Sequence, residues 1–227
     1  MTHNAQEFCW KKYGDLMEKT IEWFKIKGSR YRAKPWKQLF IEKYTHGAVL
    51  DLGGGIASTS RYFLDKKIIE KLVIVDLAET PLLSIKNTNA LAIEICGDIL
   101  DNMFLENYFN TIYLFAVLHH ILGRECRIEL LKNIKHMLRN NGHVIITVWN
   151  PDLDSLKKKY MIKTLESEKD VLICDSISCR YYYLYDIEEL CNEIRYVGLE
   201  IIEKGYFYQN TKRKNITRNI YVVAEKK

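Results

Sequence analysis

Hydrophobic and polar positions change their period several times along this chain. Residues 7–27 place Phe8, Trp10, Tyr13, Leu16, Met17, Ile21 and Phe24 at helical spacing until Gly28 breaks the pattern. Ser29 to Trp36 reads as an irregular basic connector, and Trp36 to Tyr44 as a short helix. Apolar runs and amphipathic segments then alternate. The runs predict strands at Ala48–Leu52, Lys71–Asp76, Ala90–Cys96, Thr111–Val117 and Gly142–Trp149. Helices are predicted at Ser58–Asp65, as a turn at Pro81–Asn87, at Ile121–Asn140, and at Asp186–Gly198 between an Asp and a Gly boundary signal. Leu199–Gln209 and Ile220–Glu225 read as a closing strand pair. Strands alternating with helices predict an α/β fold with a parallel, helix-covered sheet. No internal repeat is visible.

Composition narrows this picture little. A chain of 227 residues, 48% of them hydrophobic, supports one substantial α/β domain, and three prolines leave no obvious linker. No apolar run approaches the roughly 20 residues of a membrane span, and the N-terminus lacks an apolar signal core. A cytoplasmic protein without membrane contact is expected. Cysteines at 9, 96, 126, 174, 179 and 191 form no Cys-x-x-Cys pair. Reduced structural thiols and no metal site are therefore expected. The net charge of +5 permits a nucleic-acid partner without requiring one.

The chemistry concentrates where Ala48-Val-Leu-Asp-Leu runs into Gly53-Gly-Gly55. In an open parallel sheet ligands bind at the carboxyl ends of strands, and glycines there admit a ligand to the backbone. The dinucleotide fingerprint is incomplete, because Ser58 stands at its third glycine position, and no Gly-Lys-Ser/Thr of a P-loop follows. Asp51 opposes a phosphate and suits a ligand bearing a cation or amine. Asp76 ends the next strand, at a spacing suited to ribose hydroxyls, and Asp98 follows the third strand, placed to accept from an adenine amino group. Each acid alone reads equally well as a strand-end turn or helix cap. Three acids at successive strand ends form a more specific pattern.

On these residues the chain resembles the class I S-adenosylmethionine-dependent methyltransferases. Asp51-x-Gly-x-Gly55 matches their first motif, with Gly54 where Cys is common and Ala57 where the third Gly stands. The resemblance implies a Rossmann-like, mostly parallel seven-stranded sheet with helices on both faces. It implies S-adenosylmethionine as cofactor, held by Asp51, Gly53, Gly55, Asp76, Leu77, Asp98, Ile99 and Ala116. Asn110 stands where a Phe-Asp pair is common.

A narrower likeness follows. Phe115-Ala-Val-Leu-His-His-Ile121, Arg124, Arg127-Ile, Asn141-Gly-His-Val-Ile-Ile-Thr-Val-Trp149, Ser29-Arg-Tyr with Lys34-Pro-Trp36, and Arg180-Tyr-Tyr-Tyr-Leu-Tyr185 resemble the eukaryotic and archaeal tRNA wobble-uridine carboxymethyl methyltransferases. That family methylates the carboxylate of 5-carboxymethyluridine to its methyl ester. A carboxylate is already ionised at neutral pH, so the reaction requires orientation and exclusion of water rather than a general base. The resemblance places the donors Arg30, Tyr31, His119, Arg180 and Tyr181 around the pocket, with Arg30, His119, Arg180 and Tyr181 as catalytic candidates. The competing readings are plain: either histidine of the pair as a helix cap, Arg180 as a surface charge, and Tyr181–Tyr183 as alternating strand positions.

Two basic segments bear on RNA. Residues 25–37 contain six Lys or Arg and no acid, with Arg32, Lys34, Tyr31 and Trp36 among the candidates. Lys212, Arg213 and Lys214 lie between the last two strands, behind Tyr206, Phe207 and Tyr208. Cations interleaved with aromatic faces suit an unstacked tRNA anticodon loop, although the second segment reads equally well as a solvated loop. The family likeness also implies a small zinc-binding activator protein that pairs with an edge strand at Leu91–Cys96. The chain is divided as one methyltransferase domain: a helical and basic cap (1–46), a cofactor-binding core (47–150), and a substrate-side insertion with the C-terminal strands (151–227). Rival readings are another acceptor (ribosomal RNA, a protein or a small metabolite), a non-catalytic scaffold subunit permitted by Asn110 and Ala57, and a dehydrogenase disfavoured by the incomplete fingerprint.

Overall fold

The computed structural model describes residues 3–28, 34–79, 91–101, 103–175 and 178–227. Seven strands form one sheet in the order β3-β2-β1-β4-β5-β10-β9. They are β1 (Gly47–Leu52), β2 (Ile69–Asp76), β3 (Ala92–Cys96), β4 (Phe109–Phe115), β5 (Leu138–Trp149), β9 (Glu200–Tyr208) and β10 (Arg218–Glu225). The first five run parallel, and β10 is antiparallel to both β5 and β9.

Alternate residues of the central strands serve two cores. Leu50, Leu52, Val75, Ile112, Leu114, Val144, Ile146 and Val148 face the larger one. It is closed by α1 (His3–Gly28), α4 (Arg124–Met137) and α6 (Ile187–Tyr196). Val49, Leu72, Ile74, Tyr113 and Ile145 face the other core, under α2 (Leu39–Tyr44) and α3 (Ser58–Asp65). Burial on both faces explains why these strands read as continuous apolar runs rather than alternating ones.

Several expectations shift. The helix predicted to reach Asn140 stops at Met137, because Leu138 enters the sheet opposite Phe109. The histidine pair, predicted to precede a helix, forms a short 3-10 turn of its own at Leu118–His120. The turn predicted at Pro81–Asn87 lies outside the described residues. The polar insertion after β5 carries α5 (Leu153–Lys157) and a separate antiparallel sheet of β6 (Met161–Thr164), β7 (Asp170–Cys174) and β8 (Cys179–Tyr183). Its small core of Leu156, Val171, Ile173 and Tyr182 is drawn from few apolar positions, which is why composition alone hid it.

The expectation of reduced thiols is corrected. Cys9 is bonded to Cys126, tying α1 to the start of α4, and Cys174 to Cys179, closing the turn between β7 and β8. Their sequence separations are 117 and 5 residues. The first pairing joins residues that only the fold brings together. Cys96 and Cys191 are free. No helix among the described residues is long and apolar enough to cross a membrane.

Candidate active site

The carboxyl end of β1 turns sharply. Gly53 and Gly54 donate their N–H groups to Val75 O at 2.7 and 3.3 Å. Gly53 and Gly55 adopt φ of +67° and +54°. A Cβ on Gly53 would come within 2.5 Å of Val117, and its positive φ also disfavours a side chain; one on Gly54 would come within 2.9 Å of the Asp51 carboxyl carbon, so a neighbouring side chain would have to move. Ala57 adopts a left-handed conformation, at φ 51° and ψ 36°, and its buried methyl joins the second core.

Two of the predicted acids, Asp51 and Asp76, meet at this turn, and the third, Asp98, stands past the end of β3, two strands away. Asp51 Oδ2 accepts from Ser60 Oγ at 2.6 Å. Its burial, with repulsion from Asp76 as a lesser cause, pushes its pKa up to about 7. Asp76 accepts from Gly55 N–H and from Ala78 N–H, both at 2.8 Å, and burial also raises its pKa. Leu77 follows, half-buried. Asp98 accepts from Leu100 N–H at 2.9 Å, Trp10 Nε1 at 2.6 Å and Gln6 Nε2 at 3.3 Å. The sequence reading gave Trp10 only a helical position and did not name Gln6. Their contact shows that α1 closes over the third acid, a relationship of 88 residues' separation. Ile99 packs in the larger core. Ala116, at φ 57°, follows β4 with its N–H on Thr147, so its backbone also turns at the carboxyl edge. Asn110 caps the opposite end of the sheet, where Oδ1 accepts from Ala48 N–H at 3.1 Å, so its departure from the family pattern does not touch the site.

Carboxylates at successive strand ends, the first two beside a glycine turn, suit a ligand that brings donors and positive charge. S-adenosylmethionine does so with an ammonium, a sulfonium, ribose hydroxyls and an adenine amino group. The residues present fit it.

A second constellation stands beyond β4. His119 is fully buried, and its Nδ1 accepts from Trp149 N–H at 3.2 Å. Its ring stacks on Tyr182, with 5.3 Å between centroids and an 8° interplanar angle. His120 Nδ1 donates to Tyr181 O at 2.8 Å. Burial is the first cause that lowers both imidazole pKa values, His120's to about 3, so both rings are neutral. The Arg180 guanidinium lies 3.5 Å from the centre of the Trp23 ring and 5.4 Å from that of Tyr182. Its Nε is buried without a hydrogen-bond partner, and no carboxylate among the described residues forms an ion pair with it.

Strand alternation separates the predicted tyrosine from this group. Tyr181 turns to the other side of β8, where its hydroxyl donates to Asp170 Oδ1 at 2.5 Å. Tyr181 and Tyr183 line a cleft of about 580 Å³ there, with Arg124, Arg127 and Lys12. Tyr182, missed by the sequence reading, is the tyrosine beside His119 and Arg180. Arg127 is structural: it is buried on Glu193, at 3.1 Å, which also accepts from Tyr185 Oη at 2.6 Å.

The RNA candidates divide. Arg30, Tyr31 and Arg32 lie outside the described residues. Lys34 is exposed. Trp36 is an anchor, its N–H on Thr59 Oγ1 at 3.0 Å and its ring against Phe115 and Phe207. Lys212, Arg213 and Lys214 are exposed in a turn that includes α7 (Lys214–Thr217). Lys214 lies 5.7 Å from the Tyr208 ring, and Arg218 5.5 Å from the Tyr206 ring. Trp149 links this turn to the histidines, because its indole donates to Ile216 O at 2.8 Å while its backbone donates to His119.

Comparison with known proteins agrees with this geometry. The family model described as "Methyltransferase domain" matches residues 27–204. A protein of Encephalitozoon cuniculi (strain GB-M1) described as a methyltransferase is 30% identical over 115 residues, 48% of this chain and 53% of that protein. A Bos taurus protein described as "Probable tRNA methyltransferase 9B" is 26% identical over 152 residues, 66% of this chain and 31% of that protein. The chain thus spans about half the length of one curated relative and a third of the other. Among solved structures, an S-adenosylmethionine-dependent methyltransferase from Methanosarcina mazei superposes with a TM-score of 0.68 at 17% identity, covering 86% of this chain and 99% of that one. The 1,6-didemethyltoxoflavin-N1-methyltransferase of Burkholderia thailandensis, solved with S-adenosylhomocysteine, gives 0.61 at 16% identity, covering 100% and 90%. These likenesses establish the fold, and the family match, which spans more than half of the sequence, establishes that the chain belongs to the methyltransferase domain family.

Proposed function

We propose that this methyltransferase acts on tRNA, transferring a methyl group from S-adenosylmethionine to the carboxylate of 5-carboxymethyluridine at the wobble position. The observation that carries the reading is Arg180: a guanidinium held between aromatic rings, with a buried Nε lacking an acceptor and no carboxylate of the described chain opposing it. Such a group suits an incoming anion, which a guanidinium grips through two parallel hydrogen bonds. The likeness to a protein described as a tRNA methyltransferase supports the same direction.

S-adenosylmethionine supplies an electrophilic methyl on sulfur. A carboxylate oxygen forms the new O–CH3 bond as the S–CH3 bond breaks, and the electron pair returns to sulfur. No proton moves. The chain's own task is to orient the carboxylate and keep water away. Two neutral histidines, His119 buried and His120 half-buried, suit that task, because neither competes as a cation for the acceptor and neither has the basicity of a proton acceptor at neutral pH. Lys212, Arg213, Lys214 and Arg218, with Tyr206 and Tyr208, offer cations and rings to an unstacked anticodon loop. Arg30, Tyr31, Arg32 and Lys34 belong to the same proposal. β3 stands at the sheet's edge with Leu91 and Ile93 exposed, which suits strand addition by a small zinc-binding activator.

The test is direct. The purified protein, with and without such an activator, is mixed with methyl-labelled S-adenosylmethionine and tRNA bearing 5-carboxymethyluridine. Base-labile label at the wobble nucleoside is expected. Cofactor binding without transfer in either mixture points to another acceptor, and failure to bind cofactor points to a scaffold role.

A further inference from the structure

Among the described residues no carboxylate forms an ion pair with Arg180, so its position rests on other contacts. The ring nearest to it belongs to Trp23, near the end of α1 and almost fully buried. Trp23 is itself fixed. Its indole Nε1 donates to Asp175 Oδ2 at 3.0 Å, across 152 residues of sequence. Asp175 is in turn set by the turn between β7 and β8: its Oδ1 accepts from Ser178 N–H at 3.2 Å, and the Cys174–Cys179 bond closes that turn on either side. Phe24, the neighbour of Trp23, packs edge-on against His120 with centroids 5.2 Å apart. One helix end thus touches both the arginine and the histidine turn.

We propose that Trp23 and Asp175 are positioning residues that set the Arg180 guanidinium for the acceptor carboxylate. This deepens the reading of Arg180 given above and rests on it. A long arginine side chain loses much rotamer freedom when it grips a ligand, and a guanidinium already laid on a fixed aromatic face loses less of it at that moment. The Asp175 hydrogen bond supplies the fixed face by preventing the indole from rotating. Asp175 and Trp23 touch neither the glycine turn nor the three acids, so cofactor affinity is independent of them.

The discriminating measurement is the ratio of dissociation constants for two synthetic anticodon stem-loops, one with 5-carboxymethyluridine and one with uridine at the wobble position, on the full chain saturated with S-adenosylhomocysteine. The wild-type protein is expected to prefer the carboxylate-bearing loop, and Arg180→Ala to remove that preference. Asp175→Ala is expected to reduce the preference roughly tenfold while leaving affinity for the uridine loop and for S-adenosylhomocysteine unchanged. Asp175→Asn, which keeps an acceptor for the indole N–H, is expected to restore it. A general loss of packing would weaken both loops together. Trp23→Leu is a second variant, but its burial makes misfolding a risk, so Asp175→Ala decides. An unchanged preference in Asp175→Ala, with Arg180→Ala having lost it, overturns the positioning role and leaves the acceptor assignment standing. Equal affinity of the wild-type protein for the two loops overturns the acceptor assignment itself.

Discussion

Arg180 and Trp23 meet face to ring at 3.5 Å, although 157 positions separate them in the sequence. The contact places a cation beside two histidines that burial keeps neutral. The expected effect of Arg180→Ala is a fall in kcat/KM for the acceptor of about 10- to 100-fold, the range of a lost charge-assisted hydrogen bond. The dissociation constant for S-adenosylmethionine should stay within about twofold by the same reasoning. Arg180→Lys should recover only part of the loss, because an ammonium lacks the planar fork. Initial rates and calorimetric titration check this, and wild-type rates in Arg180→Ala would remove the residue from the site.

Asp51 gives a pH signature. Its carboxyl titrates near pH 7 in the folded chain and near 4 when unfolded, so between those values the folded state holds more protons. Stability from this group therefore falls as pH rises from about 4 to about 7 and is level beyond. Asp51→Asn should raise Tm at pH 8, by a few degrees, and flatten this part of the pH profile. The same substitution should abolish tight cofactor binding. A variant that binds S-adenosylmethionine normally would show that the carboxylate does not meet the ligand.

The histidines act in the opposite direction. Both resist protonation when folded, while in the unfolded chain they titrate near pH 6.5. Stability is therefore lost as pH falls from about 6.5 towards about 3. Because neither histidine changes charge near neutrality, the histidines should add no inflection to kcat between about pH 6 and 8 at saturating cofactor. An inflection there that His119→Gln or His120→Gln removes would make that residue an acid or base and would contradict the proposed chemistry.

The buried Arg127–Glu193 pair joins α4 to α6, with Tyr185 donating to the same carboxylate. Glu193→Ala leaves a buried guanidinium without its partner and should cost about 3–5 kcal/mol, read as a Tm lower by roughly 10 °C. Cofactor affinity of the folded fraction should be unaffected. A loss below about 1 kcal/mol would mean that water reaches the pair.

Cys9 and Cys126 close a span of 117 residues. On the chain-entropy account, such a cross-link is worth about 4–5 kcal/mol through the unfolded state. A strong reductant, or the pair Cys9→Ser with Cys126→Ser, should lower the denaturant midpoint while leaving the m-value's sign and two-state form intact. Equal midpoints with and without reductant would show that the thiols are not joined in solution.

The sequence by itself determined the cofactor half of this protein. A strand ending in Asp51, a glycine turn, and acids at the next two strand ends are local features: the turn, the helix behind it and the carboxylate positions follow from backbone stereochemistry within a few residues. Tertiary structure decided the rest. It placed Trp10 on Asp98, Trp23 on Arg180 and Cys9 on Cys126, contacts between α1 and elements some 90 to 160 residues away, and no periodicity encodes which helix will lie over which strand end. It also chose between Tyr181 and Tyr182. Adjacent strand residues face opposite sides, and only the packing of β8 against the histidine turn fixed which tyrosine faces His119. Buried charge shows the same divide: Arg127 and Arg180 look alike in the sequence, but one lies against Glu193 and the other has no carboxylate of the described chain opposite it, a difference that exists only once the chain has folded.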